Sequence, residues 1–321
     1  MNLADFLKGL ADKSILIVGD VMLDEYVKGE VSRISPEAPV PVLDVVSRSV
    51  FPGGAANTAN NVKSFDVNVY IVGVIGSDDA GRTLAQMLKK SKINVDGLYT
   101  DPKRPTTIKT RIMAGNHQIV RIDEEKRNDL DDALIKKILD YVSKLLPDID
   151  AVIISDYNKG VINSRLLDRL IPLIKEHNKP IVVDPKVKDY ASYRGVTIVT
   201  PSKSEIGQVM GIRLINETSL RNAALKTLNQ LECDAVLINL EKDGMCLFEK
   251  SGEMTRMPRD AKEVYDVVGV RDVIVSILTL ALTNGANMKE ACRLANCAAG
   301  VISSKVGASA VTIDEIRDNL I

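Results

Sequence analysis

Three short runs carry residue types that can do chemistry. In one, Asp266-Val267-Val268-Gly269-Val270-Arg271-Asp272 leads into the apolar stretch 273–282. That stretch reads as a buried helix starting near Gly269. Its first amides have no intrahelical partners and face outward, a natural seat for a phosphate anion. An Asp at that start, Asp272, is a candidate base for the proton of a substrate hydroxyl; its plainer role is to cap a core helix. In a second run, an apolar strand at 14–18 ends in Gly19-Asp20-Val21-Met22-Leu23-Asp24. Ligands of open α/β sheets sit beyond the carboxyl ends of strands, which places Asp20 and Asp24 to accept hydrogen bonds from hydroxyls. In the third, Pro52-Gly53-Gly54-Ala55-Ala56-Asn57 precedes a helix. Paired glycines allow a ligand close to the backbone, and Asn57 offers both a donor and an acceptor. Such mixed groups suit a sugar.

These runs need elements to position them. Short β-branched runs at 14–18, 69–72, 151–155, 181–183, 197–199 and 235–238 alternate with helical periodicity at 57–64, 80–90, 131–146, 164–177 and 219–231. The alternation predicts a doubly wound, mostly parallel α/β sheet flanked by helices. No repeat or linker interrupts it, so one domain over 1–321 is expected. Two segments break the pattern. Residues 26–46 carry Pro36, Pro39 and Pro41 amid β-formers, and residues 106–122 read as a hairpin turning at Gly115-Asn116. Together they predict a small β-sheet beside the main one, a lid or an oligomer contact.

Composition removes other classes. The 321 residues hold 42 Lys+Arg against 43 Asp+Glu, which argues against a nucleic-acid partner bound by a broad basic face. Eight Tyr, four Phe and no Trp leave little to stack on bases. No apolar run reaches the roughly 18–20 residues of a membrane span. Asp5, Lys8, Asp12 and Lys13 break any signal-peptide core. Cys233, Cys246, Cys292 and Cys297 form no C-x-x-C pair, and there are two histidines, so zinc is not expected and a cytoplasmic location is. Neither a P-loop nor a G-x-G-x-x-G fingerprint occurs, which counts against a Rossmann-type reductase.

Taken together, the runs resemble the ribokinase-type (phosphofructokinase B) carbohydrate kinases over nearly the whole chain. Supporting matches are SDYNKG at 155–160, VDPK at 183–186, YRG at 193–195, TPSKSE at 200–205, EVYDV at 263–267 and ANCAAG at 295–300. Within the family, RISPEAPVPV at 33–42 is similar to the branch that phosphorylates D-glycero-β-D-manno-heptose 7-phosphate for ADP-heptose and lipopolysaccharide synthesis. The resemblance implies ATP and Mg2+, with a monovalent cation near Asp266 and Gly307 known in relatives, and transfer of the γ-phosphoryl group to the anomeric hydroxyl. It implies that Asp20, Asp24, Gly53, Gly54 and Asn57 hold the sugar, and that Asp272, with Gly269 and Arg271 beside it, falls on the catalytic base. Lys109, Arg111, Arg121 and Lys159 are the cations for the sugar's existing phosphate, because a dianion asks for Arg or Lys. The nucleotide falls against Asp184, Lys186, Ser202, Glu205, Asn239, Glu241, Gly244 and Asn296, with Glu205 reaching the metal indirectly. A homodimer through the lid is also implied. In bifunctional relatives a nucleotidyltransferase domain follows; this sequence stops at Ile321 without one.

Three departures lie on the nucleotide side. The family's Gly-Ala-Gly-Asp is Gly269-Val270-Arg271-Asp272, its Asn-x-x-Glu is Ser202-Lys203-Ser204-Glu205, and its Thr-Arg-Gly-Glu-type loop is Asn239-Leu240-Glu241-Lys242. Arg271 either obstructs the phosphate or binds it. The chain therefore reads as a sugar-phosphate kinase, with a catalytically impaired sugar-phosphate-binding sensor or partner subunit as the alternative.

Overall fold

The computed structural model describes residues 3–186, 190–259, 269–304 and 311–320. The matches at Asp266, at 263–267 and at Gly307 lie outside them. The main sheet contains β1 (Ser14–Gly19), β4 (Asn68–Ile75), β5 (Asn94–Thr100), β8 (Ala151–Ser155), β9 (Ile181–Asp184), β10 (Ile198–Val199), β11 (Ala235–Asn239), β12 (Met245–Glu249) and β13 (Met254–Met257). Its order is β13-β12-β11-β10-β9-β8-β1-β4-β5. All neighbours are parallel except β11–β12 and β12–β13, an antiparallel edge. The central strands are buried on both faces, as parallel strands covered by helices must be. Alternate side chains feed two cores: Ile15, Ile17 and Ile153 on one face, Leu16, Val18, Val152 and Ile154 on the other.

The helices are α1 (Ala55–Lys63), α2 (Asp79–Lys90), α3 (Asp132–Leu145), α4 (Ser164–Glu176), α5 (Lys203–Met210), α6 (Glu217–Leu231), α7 (Val270–Thr283), α8 (Met288–Ser303) and α9 (Ile313–Asn319). Side-chain caps set many of the starts: Asp78 for α2, Asp131 for α3 and Asn163 for α4 each accept a first-turn amide. The long apolar run becomes α7, buried nearly all round, with Gly269 at φ 79° as its N-cap.

A second sheet has the order β3-β2-β6-β7, built from β2 (Val21–Ile34), β3 (Pro41–Gly54), β6 (Thr107–Ala114) and β7 (His117–Glu124). It is larger than the expected 26–46 and 106–122, because only Asp20 separates β1 from β2 and β3 runs directly into α1. The inner ends of β2 and β3 are therefore part of the core, where Val21, Met22 and Leu23 are buried. The outer ends are exposed, with Val46 75% and Ile34 61% accessible. The chain winds one way from β1 through β4 to β5. It then returns to lay β8 on the other side of β1, which makes the carboxyl ends of β1 and β8 the switch point where a ligand crevice is expected.

Candidate active site

The register Gly19↔Ser155↔Asp184 brings three acidic residues, Asp20, Asp156 and Asp184, to the carboxyl ends of adjacent strands. All three are buried. Asp20, expected to hold sugar hydroxyls, is 1% exposed and its carboxylate accepts three backbone amides. Its Oδ2 accepts the amides of Tyr157 (2.9 Å) and Lys159 (3.1 Å), and its Oδ1 accepts that of Val161 (3.0 Å). Asp20 thus anchors the 157–161 loop. Asp156 accepts the Asn158 amide and the Tyr193 hydroxyl. Burial, then the charge of Asp20, pushes the Asp156 carboxyl up to about 7.

That anchored loop delivers Tyr157 to Asp272. Asp272 is 4% exposed in the first turn of α7. Its Oδ1 accepts the hydroxyls of Tyr157 (2.6 Å) and Thr58 (2.9 Å), and its Oδ2 accepts Nδ2 of Asn57 (2.6 Å). Asn57 and Thr58 come from the first turn of α1, immediately after the Gly53-Gly54 pair. Burial raises the Asp272 carboxyl above its ordinary range, opposed by those hydrogen bonds and by the charge of Arg271. Gly53 and Gly54 are required by space. A Cβ on Gly53 would sit 2.3 Å from Oδ2 of Asp24, and one on Gly54, at φ 57°, would sit 2.5 Å from the Asp20 carbonyl. Asp24, Gly53, Gly54, Asn57, Gly269 and Asp272 are thereby contiguous. Tyr157 and Thr58 were not singled out. The Tyr stood in the SDYNKG match, but neither hydroxyl has a spacing that points at a carboxylate more than a hundred residues away.

The expected phosphate cations divide. Lys109 and Lys159 converge on Glu125 at 3.2 and 2.7 Å, and Arg127 joins them. Burial would raise the Glu125 carboxyl, yet Lys159, Arg127 and Lys109 hold it at about 2. Arg111 pairs instead with Asp24 and lies over the Tyr26 ring at 5.3 Å. Arg121, about half exposed, pairs with Asp123 at 2.8 Å, and Asp123 also pairs with Lys109 at 2.9 Å, so Arg121 borders the Glu125 group without touching Glu125. Buried Arg104 ties these parts together by donating to Asp101, to the Lys159 carbonyl (3.1 Å) and to the Asn128 carbonyl.

Across the first turn of α7 the nucleotide-side residues are committed to one another. Arg271 is bound by acids at the end of β9 and in α5. Its Nη1 lies 2.6 Å from Oε1 of Glu205, and its Nη2 donates to Asp184 and to the Pro185 carbonyl (3.2 Å). Lys186 also pairs with Glu205. Burial would raise the Glu205 carboxyl, but Arg271 and Lys186 bring it down to about 2. Burial pushes the Asp184 carboxyl up to about 6 against the pull of Arg271. Ser202 and Glu205 form a capping box on α5, with Ser202 Oγ accepting the Glu205 amide and Glu205 Oε2 accepting the Ser202 amide. The side chains of Thr200, Asn239, Met245 and Arg271 close around a gap with no room for a water. Asn239 Oδ1 accepts the amide of Glu241, which is exposed. Gly244 is required where it stands, since a Cβ there would lie 2.1 Å from the Met257 carbonyl. Asn296 donates from Nδ2 to the Pro258 carbonyl at 2.9 Å.

These residues do not fit a divalent cation held by the protein. Asp184 and Glu205 already share a guanidinium, and among the described residues no three His, Cys, Asp or Glu side chains are grouped to hold a metal.

A doubly wound sheet with this crevice and this helix start defines a ribokinase-like α/β protein. The model of the pfkB family of carbohydrate kinases matches residues 12–315, and the chain belongs to that family. It is 38% identical over 317 residues to the bifunctional protein HldE of Syntrophotalea carbinolica, covering 99% of this chain and 65% of that one. It is 41% identical over 304 residues to HldE of Helicobacter pylori strain HPAG1, covering 95% and 65%. The chain thus spans about two thirds of the length of these relatives. The fold is shared with an Arabidopsis thaliana ribokinase solved with ribose and ATP (TM-score 0.76, 17% identity, 96% of this chain and 98% of that one). It is likewise shared with Escherichia coli phosphofructokinase-2 solved with potassium (TM-score 0.77, 15% identity, 96% and 98%). No helix of the described residues is long and apolar enough to cross a membrane.

Proposed function

We propose that the chain transfers the γ-phosphoryl group of ATP to the anomeric hydroxyl of a sugar phosphate, D-glycero-β-D-manno-heptose 7-phosphate, on the route to ADP-heptose. The observation that carries this reading is the buried Asp272 carboxylate, held by three neutral donors at the start of α7 and continuous with Asp24, Gly53 and Asn57. Its Oδ1 is filled by two hydroxyl donors, whereas Oδ2 accepts one and keeps a lone pair for a substrate proton. In the step, the sugar oxygen attacks the γ-phosphorus, the bond from phosphorus to the β–γ bridging oxygen breaks, ADP departs and the hydroxyl proton passes to Oδ2. Positioning and charge do most of such work. Lys109 and Lys159 release Glu125 to meet the sugar's existing phosphate, and Asp24 meets a hydroxyl. Asn239, Gly244 and Asn296 flank the nucleotide. Any magnesium travels on the nucleotide's own phosphates. The whole chain serves as one domain, with the small sheet as lid and as the face that pairs two copies through Val45, Val46 and Ile122.

One observation favours a second reading, a sugar-phosphate-binding protein without turnover: the clamp of Arg271 on Asp184 and Glu205 uses the charges that would face a polyphosphate. ADP formation from Mg-ATP with a panel of sugar phosphates separates the two. The kinase reading predicts release that depends on heptose 7-phosphate and a new anomeric phosphate signal by phosphorus NMR. Heptose phosphate binding with no ADP above the background supports the second reading.

A further inference from the structure

The three cations on Glu125 meet it from different sides. Its Oε2 faces Lys109 at 3.2 Å and Lys159 at 2.7 Å, whereas its Oε1 accepts Nε of Arg127 at 2.8 Å and Nη2 at 2.7 Å. The side chains of Lys109, Lys159 and Glu125 are only 13, 10 and 11% exposed, while that of Arg127 is 61% exposed. Both lysines stand on fixed backbone. Lys109 lies inside β6, opposite Asp24 of β2 and Asp123 of β7. Lys159 has its amide on Asp20 and its carbonyl on Arg104, two residues from Tyr157 and its bond to Asp272. Glu125 comes just after the end of β7, outside the strand ladder. Asp123, the other acid on Lys109, is itself held by Arg121.

Two nearly buried ammonium groups are costly without an anion, and Glu125 supplies one. A phosphate dianion in its place carries twice the charge toward both lysines and offers each an oxygen. The exchange would leave the carboxylate without its lysines. Arg127 answers that need, because its planar fork can take both carboxylate oxygens at the surface. A sugar phosphate offsets the cost of the exchange with its hydroxyl contacts near Asp24 and Asn57, whereas free phosphate has none to offer.

We propose that Glu125 is a resident counter-anion which the phosphate of the substrate displaces onto Arg127, and that it keeps free phosphate out of the seat. The inference rests on the reading that Lys109 and Lys159 meet that phosphate. It is tested by titrating the full chain with heptose 7-phosphate, unphosphorylated heptose and inorganic phosphate, none of which requires turnover. Glu125→Gln should tighten heptose 7-phosphate and free phosphate by about tenfold, the share of a charge-assisted hydrogen bond, and leave unphosphorylated heptose within about twofold. Arg127→Gln should weaken both phosphate ligands by about threefold or more, and should have no effect once Glu125 is Gln, since the two residues act as one unit. Unliganded Glu125→Gln should melt lower than wild type and recover in phosphate. Glu125→Asp, which draws the same charge back by one methylene, should show a smaller gain and keeps the test open if the Gln variant does not fold. Weaker sugar-phosphate binding in Glu125→Gln would mean that Glu125 holds the lysines in place, and would overturn the proposal, as would unchanged binding. An equal cost of Arg127→Gln in both backgrounds would put Arg127 on the phosphate itself, with the same consequence. Absence of any phosphate binding, in wild type and variants alike, would remove the seat and the proposal with it; absence of ADP formation with these affinities intact would remove the kinase reading alone.

Discussion

Adjacent residues of one helical turn meet opposite surroundings. Asp272 is held by an amide and two hydroxyls, neutral donors that fix the carboxylate and leave its charge available. Arg271 is held by two carboxylates, which cancel its charge and fix the side chain in place. Neutral scaffolding preserves a reactive charge, while ion pairing consumes one. The sugar side of α7 is therefore organised for chemistry and the nucleotide side for cohesion.

The sharpest way to break this contrast is to neutralise the first residue. Asp272→Asn should lower turnover by about 10²–10⁴-fold, the usual share of a general base, with sugar-phosphate affinity retained in a binding titration. Arg271→Gly tests the other side. Removing Arg271 leaves the buried Asp184 carboxylate without its cation and Glu205 with Lys186 alone, and a loss of about 3–5 kcal/mol is expected by denaturant titration. An equal loss from Asp272→Asn would erase the distinction. Tyr157→Phe should cost about tenfold in kcat, as befits one hydrogen bond to a charged group. Because that bond lowers the Asp272 pKa, the acid limb of the rate profile should also move to higher pH.

The smallest effect is a pH slope. Asp156 titrates at about 7 in the folded chain, against about 4 when unfolded. Between those values the folded state keeps a proton that the unfolded state has lost, so stability falls as pH rises through the window and levels off above it. Asp184, at about 6, adds to the same slope. Asp156→Asn should flatten the slope in melting temperatures taken from pH 4 to 8.

Much of the fold was legible because its signals are local. The parallel strands other than β5 announced themselves as short β-branched runs, and α7 as an apolar run following Gly269. The edge strands β12 and β13 and the short helix α5 were not, since Met245–Glu249 and Lys203–Met210 carry no clear period. At the site, the glycine pair, the acids after the first strand and the start of the apolar helix pointed to Asp24, Gly53, Asn57 and Asp272. Sequence could not show that Asp20 spends its oxygens on three amides, because backbone donors leave no trace in residue type. Nor could it show where Arg271 points. A guanidinium replacing a glycine reads as an obstruction until two distant carboxylates are found around it.

The central claim, that the two faces of this turn work separately, is tested most directly by titrating wild type and Arg271→Gly with heptose 7-phosphate and with ATP. The account predicts sugar-phosphate affinity within about twofold of wild type, as for independent sites. Nucleotide affinity should change by about tenfold or more as Asp184 loses its cation and Glu205 keeps only Lys186. A parallel shift in both affinities, or a shift in the sugar phosphate alone, would contradict it.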